Sequence, residues 1–124
     1  MIFQGVSLDA QLRDTATAEM VWRALPLAGV VMTWGEEVYF TVPLTAAREA
    51  GARAVVSAGE IAFWPDGDAI AIGYGRTPIS HGDEIRLASP CNIWATTRDD
   101  VRQLASVPAG STVRLERDGE RGVT

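Results

Sequence analysis

The chain has 124 residues, of which 47% are hydrophobic and 22% charged, and its formal net charge is −5. This length suits one domain with a single core, so we expect residues 1–124 to form one unit. The eleven basic residues are all Arg and are scattered along an acidic chain. A phosphate backbone would be repelled on average, which argues against nucleic acid as a partner.

No run approaches the ~20 apolar residues of a membrane span, and the first residues lack the basic and apolar segments of a signal peptide. We therefore expect a cytoplasmic protein that does not bind membranes. Cys91 is the only cysteine, which excludes an internal disulfide. The chain has no Lys and one His, His81, which excludes a Schiff-base lysine and a cluster of His ligands. We expect neither a metal nor a cofactor.

The first third of the chain predicts strands around one helix. Residues 2–12 alternate apolar and polar side chains, which predicts a strand or hairpin. A helix is predicted near residues 15–25, because Asp14 or Thr15 can cap its first turn and Pro26 ends it. Its apolar face would carry Ala18, Val21, Trp22 and Leu25.

Two hairpins are predicted in the middle of the chain. In the first, two β-rich runs, Gly29–Trp34 and Val38–Val42, flank a Gly-Glu-Glu turn. Residues 44–57 are predicted as a connector with at most a short helical turn. The second hairpin joins GEIAFW to DAIAIGYG through Pro65-Asp66-Gly67.

The AIAIGYG run has one bulky and one nearly bare face. Ile70, Ile72 and Tyr74 would fill an interior, whereas the opposite Ala and Gly positions let a helix or neighbouring backbone approach closely. We interpret the run mainly as a packing feature. The alternative is that its glycines line a ligand groove.

The last third predicts a long loop over residues 76–90, a strand at Asn92–Thr96, a helix near 98–106 capped by Thr97, and a final strand in STVRLER. The total is about eight short strands and two short helices. A mostly β protein, closed into a barrel and capped by the helices, is the economical interpretation, because open strands leave exposed edges.

Five segments, TATAEMVWRALP, WGEEVYFTVP, GEIAFWPDGDAIAIGYGRTP, ASPCNIWA and VRLER, resemble in order and spacing a prokaryotic family of minimal cyclophilin-like proteins of unassigned function. The resemblance extends from about Val6 to Arg117. It implies a closed, largely antiparallel barrel with cyclophilin topology, but a fold does not by itself imply an activity.

Cyclophilins proper are prolyl isomerases that carry an F-H-R-V strand and an F-x-x-Q-G-G stretch. The comparable segment here, Trp34–Phe40, reads WGEEVYF and has neither the Arg nor the Gln-Gly-Gly. Glutamates at neutral pH cannot donate to a proline nitrogen. We therefore favour a small-ligand or peptide binding module, with a weak or atypical isomerase using Arg76 as the alternative. A third interpretation is an oligomeric structural protein, which leaves a homo-oligomer open.

Any ligand is expected at one barrel mouth, between the turn at Gly35 and the loop over residues 76–90. Aromatic side chains would give apolar contact there, and Arg76 a charge-assisted hydrogen bond. Core packing remains an even alternative for the two Trp residues of this site, and it is favoured for Phe63 and Tyr74. Six side chains form the predicted ligand-binding set: Trp34, Glu37, Tyr39, Trp64, Arg76 and His81.

Overall fold

The computed structural model describes residues 1–124, and the chain is mostly β, as predicted. Its helices are α1 (Ala16–Ala24) and two short 3₁₀ helices, Pro65–Gly67 and Val101–Ser106. None of them is long and apolar enough to cross a membrane. The strands are β1 (Ile2–Phe3), β2 (Val6–Ser7), β3 (Ala10–Leu12), β4 (Leu27–Val30), β5 (Met32–Thr33), β6 (Glu37–Thr41), β7 (Arg53–Val56), β8 (Glu60–Trp64), β9 (Ala69–Gly73), β10 (Ile85–Thr97), β11 (Thr112–Leu115), β12 (Arg117–Asp118) and β13 (Gly122–Val123).

The strands form two antiparallel sheets. The smaller has the order β2-β1-β11-β4, and the larger has the order β12-β13-β3-β10-β8-β9-β6-β5, with β7 also paired to β10. Single residues, Val31 and Glu116, separate β4 from β5 and β11 from β12, so the chain passes almost directly from one sheet into the other at two places. Neither sheet closes on itself by hydrogen bonding, so the predicted closed barrel is not found.

Both predicted helical segments are helical, but only the first is an α-helix. The Thr15 side chain caps α1 by accepting a hydrogen bond from the Ala18 amide at 3.0 Å. The second forms a 3₁₀ helix capped by Asp100 rather than by the predicted Thr97. Thr97 is the last residue of β10, and its hydroxyl donates to the Asp9 carbonyl at 2.7 Å. The strand thus continues past the predicted helix start.

Two stretches predicted as connectors contain strands. β7 lies within the predicted connector over residues 44–57, and β10 begins at Ile85, inside the predicted loop. Pro90 made the loop prediction reasonable, because proline cannot donate to a sheet. The structure accommodates it where the β7–β10 register shifts, between Arg86 and Cys91.

Apolar side chains pack into two clusters on opposite faces of the larger sheet. The main cluster contains 26 buried residues, and both isoleucines of β9, Ile70 and Ile72, are among them. The second cluster, on the other face, contains Val56, Ala62, Ala71, Ile85, Leu87, Cys91 and Ile93. All five residues of β9 are therefore buried. This supports the packing interpretation for most of the AIAIGYG run, because Ile85 and Leu87 of β10 lie against Gly73 on its small face.

Replacing Gly73 with Ala is expected to lower the free energy of unfolding by about 1–3 kcal/mol, the usual cost of overpacking a filled core. A Cβ atom at Gly73 would lie 2.3 Å from Cγ2 of Ile85. Urea unfolding measures the effect. The matched control is Gly51→Ala, where a Cβ atom meets nothing within 4 Å. Equal stability of the two variants would contradict this account of β9 packing.

Candidate functional site

A cavity of about 140 Å³ opens on the face of the larger sheet that carries the second apolar cluster. Eight residues from four strands and one turn line it, and seven of them are hydrophobic. The lining residues are Trp34, Glu37, Tyr39, Trp64, Ala71, Leu87, Ala88 and Cys91. The cavity is therefore an apolar pocket with one acidic side chain.

The turn between β5 and β6 is held in place by the loop that follows β9. Gly35 has a φ of +57°, and a Cβ atom there would lie 2.9 Å from the Arg76 carbonyl oxygen. The amide of Glu36 donates to that oxygen at 2.8 Å, and the Trp34 amide donates to the Glu37 carbonyl at 3.0 Å. Only glycine fits this left-handed, closely packed position. The backbone of Trp34 and Glu37 is thereby fixed at the pocket.

Two aromatic rings form one wall of the pocket. Tyr39 and Trp64 meet edge to face, with ring centroids 6.4 Å apart and an interplanar angle of 80°. The indole nitrogen of Trp64 donates to the Ser89 hydroxyl at 2.8 Å, which in turn donates to Asp66 at 3.0 Å. These bonds orient the Trp64 ring and occupy its N–H, so the wall offers a ligand mainly apolar surface.

Glu37 is the one acidic residue of the lining, and it is only 6% exposed. Its Oε1 atom is buried and has no hydrogen-bond partner in the protein. Burial raises the pKa of its carboxyl group from 4.5 to about 7. No Arg or His lines the pocket. A buried polar group without a partner is costly and uncommon in folded proteins, and this carboxyl group, which lines the pocket, makes no hydrogen bond within the protein.

Cys91, a buried member of the pocket lining, is an unreactive thiol. It is 1% exposed, and its Sγ donates to the Ser89 carbonyl at 3.3 Å. Burial, assisted by the negative charges of Glu37 and Asp66, raises its pKa to about 12. A thiol that stays protonated is a poor nucleophile. Cys91 therefore contributes shape and apolar surface to the pocket.

The structure brings four of the six predicted site residues together: Trp34, Glu37, Tyr39 and Trp64. Arg76 and His81 do not line the pocket. The Arg76 side chain is exposed and donates to the Ser80 carbonyl at 3.4 Å, and His81 is exposed on the same loop. Phe63 is fully buried in the main core and Tyr74 packs against it, as the core interpretation predicted.

Sequence reasoning missed the other half of the lining: Ala71, Leu87, Ala88 and Cys91. Ala71 lies on the small face of β9, where the sequence did raise the alternative of a ligand groove. Leu87 and Ala88 lie in a segment that was predicted as a loop. Without a predicted strand, their side chains could not be assigned to either face of a sheet. No group of three or more His, Cys, Asp or Glu side chains is placed to hold a metal ion.

Comparisons with known proteins agree with this architecture. A family model described as cyclophilin-like matches residues 1–116. The solution structure of a hypothetical protein from Archaeoglobus fulgidus is similar, with 32% identity, a TM-score of 0.79, and coverage of 94% of this chain and 90% of that one. No curated protein matches the chain. The family match and the shared fold span nearly all of its length, and the chain therefore belongs to the cyclophilin-like family.

Proposed function

We propose that this protein is a binding module that holds a small ligand, or the end of a larger one, in the pocket beside β6. The observation that carries the proposal is the buried carboxyl group of Glu37, which has no hydrogen-bond partner and lines an otherwise apolar pocket. Leaving a polar atom in this state costs roughly 1–3 kcal/mol. A ligand that donates a hydrogen bond to the Glu37 carboxyl group gives that group a partner while burying its own apolar surface against the aromatic wall.

The size of the pocket limits what it can enclose. A cavity of about 150 Å³ holds one benzene molecule, so about 140 Å³ suits roughly six non-hydrogen atoms. The enclosed group is thus a short branched or cyclic fragment. A peptide would place a single side chain here, with the rest of its chain outside.

The isomerase alternative gains no support from the pocket. Isomerisation requires a donor that stabilises the proline nitrogen as the amide twists. No Arg lines the cavity, and the guanidinium of Arg76 is directed to the Ser80 carbonyl on its own loop. The lining instead consists of seven hydrophobic side chains and one buried carboxyl group, which suits it to holding a ligand.

Nuclear magnetic resonance with fragments of up to about six non-hydrogen atoms tests the proposal. The four indole N–H signals report separately, because Trp34 and Trp64 line the pocket whereas Trp22 and Trp94 lie elsewhere. We expect at least one fragment to shift the Trp34 and Trp64 signals and leave the other two unchanged.

A blocking variant completes this test. Ala88 is exposed at the rim of the pocket, so Ala88→Phe should fill the entrance without disturbing the core. The fragment response should then disappear while the chain stays folded. A fragment set that never shifts the two pocket indoles selectively, or a response that survives Ala88→Phe, would overturn the proposed binding site.

A further inference from the structure

We propose that the pocket selects a small organic cation, an alkylammonium group, with the Glu37 carboxylate as its counter-charge and three aromatic side chains as its walls. This inference rests on the proposed function and names the class of ligand. It follows from the charge of the lining, the chemistry of the walls and the size of the cavity.

The pocket lining offers the Glu37 carboxylate no positive charge. Within the lining, the only other titratable side chains are the Tyr39 phenol, on the same strand, and the Cys91 thiol, on β10, whose raised pKa of about 12 keeps it uncharged at physiological pH. Beyond the lining, Asp66 follows β8 and adds a negative charge, and Arg48 lies on the exposed connector before β7. No basic side chain pairs with the Glu37 carboxylate. A positive partner therefore has to come from the ligand.

The walls of the pocket are largely aromatic. Trp34, Tyr39 and Trp64 all line a cavity that encloses only about six non-hydrogen atoms. The faces of aromatic rings carry partial negative charge, so they attract a cation and repel an anion. Two of the rings meet edge to face, at 80°, which gives the pocket walls in different directions rather than a single flat surface. Ring walls around a buried carboxylate match an ammonium group with short alkyl substituents.

A cation and a neutral hydrogen-bond donor differ in what they offer the Glu37 carboxylate. An alcohol can donate a hydrogen bond to the Glu37 carboxylate, but it leaves the desolvated negative charge uncompensated. An ammonium group supplies both the hydrogen bond and the opposite charge, and charge-assisted hydrogen bonds are about twice as strong as neutral ones. The ratio of the dissociation constants of an alcohol and a cation of the same shape therefore tests the cation inference separately from binding itself.

The experiment compares tert-butylammonium chloride with tert-butanol, which have the same shape and number of non-hydrogen atoms and which both donate. Dissociation constants come from the Trp34 and Trp64 indole shifts at about pH 8.5, where Glu37 is mostly ionised. We expect the ammonium ion to bind at least about tenfold more tightly than the alcohol. In Glu37→Gln this preference should vanish, whereas in the adjacent exposed Glu36→Gln it should remain.

A pH series on the unaltered protein provides a second measurement that needs no variant to fold. Because the cation prefers ionised Glu37, its affinity should fall more than about tenfold between about pH 8.5 and about pH 5.5, while that of the alcohol does not fall. Equal affinities for the two compounds, or a preference retained in Glu37→Gln, would overturn the cation inference and leave the binding module standing. If neither these nor the other fragments shift the pocket indoles, the proposed function fails as well.

Discussion

Replacing Asn92 with Ala is expected to lower the free energy of unfolding by about 3–4 kcal/mol. Asn92 is fully buried on β10, and its side-chain amide makes three hydrogen bonds. Its oxygen accepts from the Glu49 amide at 2.8 Å, and its nitrogen donates to the Thr17 hydroxyl at 3.0 Å and to the Ala47 carbonyl at 2.9 Å. In Asn92→Ala the Thr17 hydroxyl keeps its bond to the Glu49 carboxylate, but the Glu49 amide and the Ala47 carbonyl lose this partner, and each such loss costs roughly 1–3 kcal/mol.

Urea unfolding measures this loss, and Gln103→Ala serves as the control. Gln103 is also an amide side chain, but it is exposed and donates only to the nearby Asp100 carbonyl, so its removal should change stability by less than about 0.5 kcal/mol. Hydrogen exchange of the Glu49 amide adds a local measurement, because that amide loses its partner in Asn92→Ala. A loss below about 1 kcal/mol would show that the network does not hold the connector to the sheet.

Glu37→Gln is expected to stabilise the protein at alkaline pH relative to the unaltered chain. In the unfolded chain this carboxyl group ionises near pH 4.5, whereas in the folded protein burial delays ionisation until about pH 7. A raised acid pKa means that folding binds a proton, so stability is lost as pH rises from about 4.5 to about 7. The loss amounts to about 3 kcal/mol. Glutamine does not titrate and avoids it.

The measured quantity is the difference in unfolding free energy between Glu37→Gln and the unaltered protein, followed from about pH 4 to about pH 8.5. The difference cancels the titration of all other groups, and it should grow by about 3 kcal/mol in favour of the variant. Glu36→Gln, at the exposed neighbouring position, should show no such growth. A flat difference for Glu37→Gln would mean that this carboxyl group is solvated in the folded protein. Together with the cation experiment, the result tests whether stability has been exchanged for binding at one residue.

The elements predicted well from sequence are those with a local signal. Thr15 caps α1 because a hydroxyl before an apolar helical run satisfies free amides, and this is visible in the sequence. The turn at Gly35 and the hairpin around it were equally visible. β7 and the first half of β10 were missed because their pairing is with each other, across a separation that no local pattern reveals. Whether the sheets close is likewise decided by long-range pairing.

The same difference between local signals and long-range pairing decides which residues of the candidate site could be predicted. The aromatic half of the pocket lies beside turns, where an exposed aromatic residue is informative, and Trp34 and Trp64 were predicted for that reason. The prediction for Arg76 used the density of polar residues in its loop, but the direction of a long side chain depends on partners such as the Ser80 carbonyl. Glu37 stood in the predicted set, but its place in one pocket with Leu87 and Cys91 of β10, and the burial of its carboxyl group without a partner, depend on packing between distant strands.

The long strand β10 also has a consequence for how the chain folds as the ribosome makes it. It pairs with β3, β7 and β8, and the small sheet needs β11 to join β1 to β4. Synthesis proceeds from the N-terminus, so the earlier strands emerge before the partners that bury them. Until β11 has left the exit tunnel, strand edges and apolar faces remain uncovered and are open to association with other nascent chains. Completion of both sheets therefore waits for the last third of the chain, and the uncovered strands are the surfaces through which nascent chains would associate.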